Sequence, residues 1–457
     1  MPPPHAHLPL SVAKPEPSSS PVVPPGEYRQ TEGGAAAPAA RPDPHRWVVF
    51  ALLAPVYFLS IFNRVSPSVI ATDLMAAFRA DATTLGLMSS MYFWFYAVEQ
   101  PVVGILTDRW GPRRITCLWA LLAAAGCTLF ALAPSAGWAM VGRALVGLGS
   151  GGIYVPAMTA FAQWFRRQEF ATVNGFLLAL GNLGAIVATS PLVWMVGLWG
   201  WRASFLLMGA ISALLAVAIA TCMQERSNSS GTALEVEAAN RPAWRKVFSS
   251  LHFWLPVMTF MCVLGSFVTF QGLWATPYLM SVLGLPRLAA SHINMLLAVG
   301  YIVGAPLAGW LVDRLFRNEI TVIIVLLALE TGIWGMVVTG WPPPSPVGMA
   351  VLMIMMGGGC GGLAAVLWGW VRTATPTAIM GFTTGLINPS TFVGVAVMQV
   401  VTGTLLDLAR RGPAGYPPAA FQHAFLVCLA VSGTCLLLTL ALRRRLARPT
   451  DPPPGRR

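Results

Sequence analysis

Long apolar runs separated by short polar connectors dominate the chain. A first run at Trp47–Phe78 is followed by runs at about 85–106, 115–133, 138–162, 170–198 and 204–223. A polar stretch from Gln224 to Ser250 interrupts the series, and six more runs follow at about 253–282, 288–312, 320–338, 347–371, 379–406 and 424–442. A helix needs about 20 apolar residues to cross a bilayer, and within lipid it satisfies its own backbone hydrogen bonds. The pattern predicts an all-α polytopic membrane protein with twelve transmembrane helices in two six-helix halves.

The polar segments divide the chain further. Residues 1–45 hold twelve prolines and no apolar core, so a disordered cytoplasmic tail is expected and a signal peptide is not. The first half is expected over 46–223, a cytoplasmic linker over 224–250, the second half over 251–442 and a basic cytoplasmic tail over 443–457.

Composition narrows the class. Of 457 residues, 56% are hydrophobic and only 10% charged, with a mean hydropathy of +0.66. A soluble domain carries about 25% charged residues, so a soluble enzyme, a disordered scaffold and a coiled coil are excluded. The net charge of +12 would suit a nucleic-acid binder if it were clustered on a folded surface, but it is not. Of the 29 Lys and Arg, 22 fall in the tails and in the connectors on the side of the termini. Five lie on the other side (Arg79, Arg202, Arg287, Arg410, Arg411) and two within spans, Arg64 and Arg143. Positive charge accumulates on the cytoplasmic face, so both termini are expected there, in a bacterial inner membrane. Trp138, Trp199, Trp201 and Trp341 fall near outer span ends, where amphipathic rings prefer to sit. The seven cysteines all lie in apolar runs without a Cys-x-x-Cys pair, and read as free packing thiols.

The halves repeat. Gly104-x-x-x-Asp108-Arg109 recurs as Gly309-x-x-x-Asp313-Arg314, 205 residues later, together with Leu74-Met75 as Leu279-Met280. Gly175-Phe176, Asn182 and Gly197 recur as Gly381-Phe382, Asn388 and Gly403 at an offset of 206. A duplicated six-span unit is a transporter architecture, with the substrate site expected between the halves near the midplane.

The connector Gly104-Ile-Leu-Thr-Asp108-Arg109-Trp-Gly111-Pro-Arg113-Arg114 resembles the signature loop of the major facilitator superfamily. Gly104 permits close helix approach, and the Asp-Arg pair could latch the halves in one state and release them in another. Plain positive-inside anchoring would explain Arg113 and Arg114 but not the Gly-x-x-x-Asp spacing. The second copy keeps Gly309, Asp313 and Arg314 but continues Leu315-Phe316-Arg317, so only part of the latch is expected there. Arg143-x-x-x-Gly147-x-Gly149-x-Gly151 resembles a second signature of the superfamily. An arginine inside a span is costly, so Arg143 is expected to face the interior and find a partner; the other reading is snorkelling to the nearby interface.

Subfamily signals diverge. Gly181-Asn182-Leu183-Gly184-Ala185 departs from the fifth-span bend of drug exporters, and Glu225-Arg226-Ser227 from the motif of sugar porters. Phe62-Asn63-Arg64-Val65-Ser66-Pro67-Ser68 resembles the first-span arginine segment of organophosphate exchangers and organic-anion symporters, which implies that Arg64 binds an anionic substrate. The acids that go with that resemblance are replaced by Asn63 and Ser150. Leu87-Met88-Ser89-Ser90-Met91-Tyr92-Phe93-Trp94-Phe95-Tyr96 is similar instead to bacterial relatives of lysosomal dipeptide transporters and amino-acid permeases.

Two acids lie well inside spans, Glu99 and Glu330. Glu99 shares a helical face with Tyr92 and Tyr96. It reads either as a proton carrier or as a fixed partner of Arg64 or Arg143, with a lipid-side position as the third reading. Gln271, Trp274, Tyr278, Asn294, Tyr301, Trp368 and Asn388 are further cavity candidates. No Walker loop, dinucleotide fingerprint, zinc spacing or Ser-His-Asp set is present, so no enzyme chemistry, cofactor or metal is expected. The expected function is secondary transport of a small organic anion by a monomer in the bilayer, coupled to H⁺ or Na⁺ or to neither. An amino-acid, dipeptide or drug transporter and a non-transporting membrane sensor are the alternatives.

Overall fold

The computed structural model describes residues 44–225, 248, 250–375, 380–409, 412 and 415–446. The expected tails (apart from 44–45 and 443–446), nearly all of the linker, and Arg410 and Arg411 lie outside the described residues. Among those described, the chain is helical, without a strand.

In the first six spans, α1 (His45–Val65) and α2 (Pro67–Phe78) form one broken span, and α3 (Ala82–Trp110) and α4 (Pro112–Leu132) the next two. The fourth span is also broken, into α5 (Ala136–Gly151) and α6 (Tyr154–Trp164). Then come α7 (Arg167–Val187) and α8 (Ser190–Cys222), whose axis is interrupted at Gly200 (φ 76°, ψ 162°). The last six spans are α9 (Leu251–Leu283), α10 (Arg287–Phe316), α11 (Glu319–Thr339), α12 (Pro346–Ala374), α13 (Met380–Asp407) and α14 (Pro418–Leu446).

Eleven of the described helices are long and apolar enough to cross a membrane. The twelfth long helix, α3, is not among them although it has 29 residues. Thr83, Thr84, Ser89, Ser90, Glu99 and Gln100 dilute its apolar run, and the same residues supply several contacts described below.

Local chemistry places the boundaries. Asp81, Asn318 and Ser345 cap α3, α11 and α12 by accepting the backbone N–H groups of Thr84, Thr321 and Gly348 at 2.8, 3.2 and 3.1 Å. Glycines set the tightest approaches: Gly147 lies on the Tyr92 backbone, and Gly304 on that of Gly358. A β-carbon at either would meet backbone, so these seams accept nothing larger.

Trp138, Trp199 and Trp341 are exposed, whereas Trp201 is buried. It is enclosed against Phe78 and Phe130, with ring centroids at 6.0 and 5.5 Å.

Candidate functional site

Arg64 ends α1 and sits where the two sets of spans meet. Its guanidinium carbon lies 5.3 Å from the Tyr96 ring of α3 and 5.1 Å from the Phe392 ring of α13, whose centroids are 4.2 Å apart. The cation therefore rests on an aromatic pair built from both halves. Tyr57 and Tyr92 also lie around it, and Tyr301 approaches from α10, stacked on Phe267 at 5.8 Å. Nε is buried without a hydrogen-bond partner, and no carboxylate among the described residues forms an ion pair with Arg64.

Arg143 is placed elsewhere. It is 1% exposed inside the first six spans, donates from Nη1 to the Asn63 carbonyl at 3.0 Å, and lies over the Tyr92 ring at 4.9 Å. The Tyr92 hydroxyl donates to the Ser60 carbonyl at 2.9 Å, so Tyr92 offers the cavity no free hydroxyl hydrogen.

Glu99 is turned away from both arginines. Its Oε2 accepts the Trp119 indole N–H at 2.6 Å, and its Oε1 sits in the niche left by Gly151 without a hydrogen-bond partner. The fixed pairing with Arg64 or Arg143 is thus not formed among the described residues. Next to it, Gln100 donates to the Gly151 carbonyl at 3.2 Å and accepts from Asn388 at 3.1 Å, joining the halves. Glu330 is enclosed in the last six spans beside Gly359.

The other candidates divide. Gln271 and Asn294 join a cross-half cluster in which Asn294 donates to Ser68, Thr276 and the Gln271 carbonyl at 3.2, 3.1 and 3.4 Å. Trp274, expected to line the cavity, is instead packed within the last six spans and donates to Thr402 at 2.8 Å. Tyr278 belongs to the aromatic cluster of Phe270, Phe421 and Phe425, and Trp368 packs on Phe260.

The two ends of the interface differ. At the end carrying Asp73, Arg287 forms a two-pronged ion pair with Asp73 at 2.6 and 3.0 Å. Asp407 of α13 caps α3 across the interface, accepting Ala82 N and Thr83 N at 3.0 and 2.6 Å, and it also accepts the Tyr416 hydroxyl. Gln100–Asn388 is the described tie nearest to the Asp108 end. There Asp108, Arg109, Arg114, Asp313 and Arg314 are exposed, a β-carbon on Gly104 or Gly309 would meet nothing, so the close helix approach expected at Gly104 is not made here, and Arg113 donates to the Ala220 carbonyl. Gly111 turns the chain with φ 80°, against Glu225.

A broken twelve-span frame, closed at one end around a central arginine, agrees with the sequence comparison. The family profile described as Major Facilitator Superfamily matches residues 53–397 and 275–457. The chain belongs to the Major Facilitator Superfamily. It is similar to the lysosomal dipeptide transporter MFSD1 of Homo sapiens, 26% identical over 446 residues and covering 92% of each chain. It is also similar to the probable sulfoacetate transporter SauU of Cupriavidus necator, 25% identical over 288 residues, 60% of this chain and 66% of that one. Among solved structures, a bacterial homologue of the human lysosomal transporter Spinster, in an inward-facing and unoccupied conformation, superposes with a TM-score of 0.74. The pair is 17% identical, with 90% of this chain and 99% of that one covered. The D-xylose–proton symporter gives a TM-score of 0.65 at 14% identity, covering 86% and 97%. The superfamily member is a multi-pass membrane transporter of a small-molecule solute, not an enzyme.

Several contact residues carry no motif. Asp73, Arg287 and Asp407 are single charges near span ends, which a search for complementary charges at one end could have paired. Tyr57 lies two turns before Arg64, so helical spacing alone could have placed it on the same face. Phe392 has no such signal.

Proposed function

We propose that this transporter carries a small organic solute with an anionic group, carboxylate or sulfonate, by alternating access, and that Arg64 is the anchor. The observation that carries the reading is Arg64 itself, a guanidinium between the halves with aromatic faces beside it and no carboxylate paired to it among the described residues. A permanently charged fork in a membrane interior is tolerable beside a wet cavity, where a ligand can complete it. Its geometry suits two oxygens of one anionic group. Asn388 with Gln100, and Tyr96 and Tyr301, would contact the rest of the solute; Arg143, Tyr92, Gln271 and Trp274 would act through the frame instead.

We take the basic connectors to put the Asp108 end in the cytoplasm, which makes the Asp73 and Asp407 ties the outer closure. In this reading Gly104, Asp108, Arg109, Gly111, Arg113 and Arg114, with Gly309, Asp313 and Arg314, form a latch that engages when the inner side closes. Glu99 is the proton-coupling candidate, a buried carboxyl with one oxygen unpartnered.

Dipeptide transport is the second reading, favoured by similarity to MFSD1 over nearly the whole chain. Both readings share a carboxylate or sulfonate on Arg64, so one experiment tests the anchor. Thermal shifts of purified protein are measured with sulfoacetate, N-acetyl-alanyl-alanine, alanyl-alanine and alanyl-alanine amide. At a hundredfold over Kd a ligand adds about 2.7 kcal/mol of stability. The acids are expected to stabilise and the amide not, with Arg64→Lys weakening and Arg64→Ala abolishing the shift in folded protein. Equal binding of acid and amide, or binding unaltered by both substitutions, would overturn the anchor. A free amine that improves binding would favour the dipeptide reading.

A further inference from the structure

Proline at position 67 creates a local deficit in the first span. Pro67 has no backbone N–H, so the carbonyl four residues earlier, on Asn63, loses its helical donor. Asn63 is 1% exposed, and no water compensates a carbonyl in such a place without a route to it. The donor arrives from α5: Arg143 Nη1 reaches the Asn63 carbonyl at 3.0 Å, with Ser66 Oγ adding a longer bond at 3.3 Å.

The same stretch is gripped twice more through its backbone or a small side chain. Tyr92 donates to the Ser60 carbonyl at 2.9 Å, and Ser60 Oγ donates to the Ser150 carbonyl at 3.1 Å. Arg143 completes this set while its Nε and Nη2 find no partner and its cation lies over Tyr92 and Phe130, at 4.9 and 5.9 Å.

We infer that Arg143 is a positioning residue that replaces the backbone donor removed by Pro67, and so steadies the break in the first span at Ser66, two residues after Arg64. Arg143 does not touch cargo. Spans two and four dock the first span by its carbonyls, and Arg64 is left free to face the interface. The effect on cargo rests on the reading of Arg64 as anchor; the pairing of Arg143 with Pro67 does not.

The test restores the missing N–H in place. Full-length wild type, Arg143→Met, Arg143→Lys, Pro67→Ala and the double variant Pro67→Ala/Arg143→Met are compared for melting temperature in detergent and for sulfoacetate affinity. Without Arg143 the Asn63 carbonyl keeps only the longer Ser66 bond; a buried hydrogen bond lost in this way is worth about a tenfold change in an equilibrium, and that loss is expected in Arg143→Met, partly relieved by lysine. The double variant should recover most of both losses, because the backbone N–H restored at position 67 supplies the bond that Arg143 made. If Arg143→Met yields no folded protein, recovery of folded protein in the double variant is the readout. A double variant as impaired as Arg143→Met, or an Arg143→Met indistinguishable from wild type, overturns the inference. Recovery of stability without any sulfoacetate binding, in wild type as well, would instead overturn the cargo reading and leave the pairing standing.

Discussion

Asp73 and Arg287 tie the two halves together at the closed end, carboxylate to guanidinium through two hydrogen bonds of 2.6 and 3.0 Å. The side chains are 25% and 28% exposed, so water and salt weaken the pair and its contribution is about 1 kcal/mol. Asp407 adds a second tie by capping the first turn of α3 from the other half. Opening this end requires both to break.

Substituting Asp73→Asn should therefore shift the resting equilibrium towards the open form by about fivefold, the equivalent of that 1 kcal/mol. The measurement is the rate at which an impermeant maleimide labels Ala71→Cys, a position 1% exposed in the closed form. Arg287→Gln should match it, and the swap Asp73→Arg/Arg287→Asp should return labelling to the starting rate. An unchanged rate in both single variants would mean that the pair is incidental to closure.

Asp108 stands exposed at the end away from the Asp73 tie, with no ion pair among the described residues. A latch that engages only in the opposite state should matter for cycling and not for binding. Asp108→Asn is expected to lower turnover at least tenfold in proteoliposomes while the affinity for sulfoacetate stays within about twofold, a split read as free energies of different steps. Parallel loss of affinity and stability would make Asp108 a fold residue.

Glu99 faces Trp119 from α4 and the Gly151 niche from α5, with Tyr96 on its own helix and no basic side chain in ion-pair contact among the described residues. If it carries the coupling proton, Glu99→Gln should flatten the pH profile of uptake and remove its response to an imposed pH gradient, while exchange of solute persists. Uptake still driven by the gradient would place coupling elsewhere.

Two glycines of the fourth span differ in what can relieve the same substitution. A β-carbon on Gly147 meets the Tyr92 backbone, whereas on Gly151 it meets the carboxyl end of Glu99. Overpacking costs about 1–3 kcal/mol, and melting temperature should fall for Gly147→Ala and for Gly151→Ala alike. Truncating Glu99→Ala should rescue only Gly151→Ala, because only there is the obstacle a side chain.

What was legible in the sequence depended on whether a signal was local. Apolar run length located the spans, since the cost of unsatisfied backbone in lipid leaves little choice. The superfamily signatures around Asp108 and Arg143 were readable because their spacing follows one helix. The placement of Arg143 was not, because its partner is a carbonyl, which has no letter in the sequence, and only Pro67 hinted that one would be free. Trp274 shows the opposite failure: an amphipathic side chain inside a span suggested a cavity, yet Thr402 of another helix satisfies its N–H inside the bundle. The cross-half ties, Asp73 with Arg287 and Gln100 with Asn388, join residues 214 and 288 positions apart and become visible only when the halves are docked.

A guanidinium between the halves, without an ion pair among the described residues, is also an electrical element. One elementary charge moved across 100 mV is worth about 2.3 kcal/mol. The empty carrier presents Arg64 without a compensating carboxylate, so in the proposed cycle its reorientation moves positive charge through the field, in part or in full. A cargo with one negative charge cancels Arg64, and the loaded step then becomes indifferent to voltage. The membrane potential would act on the return of the empty protein and leave the delivery of its cargo almost untouched, which makes voltage a brake or an accelerator on turnover and not on binding.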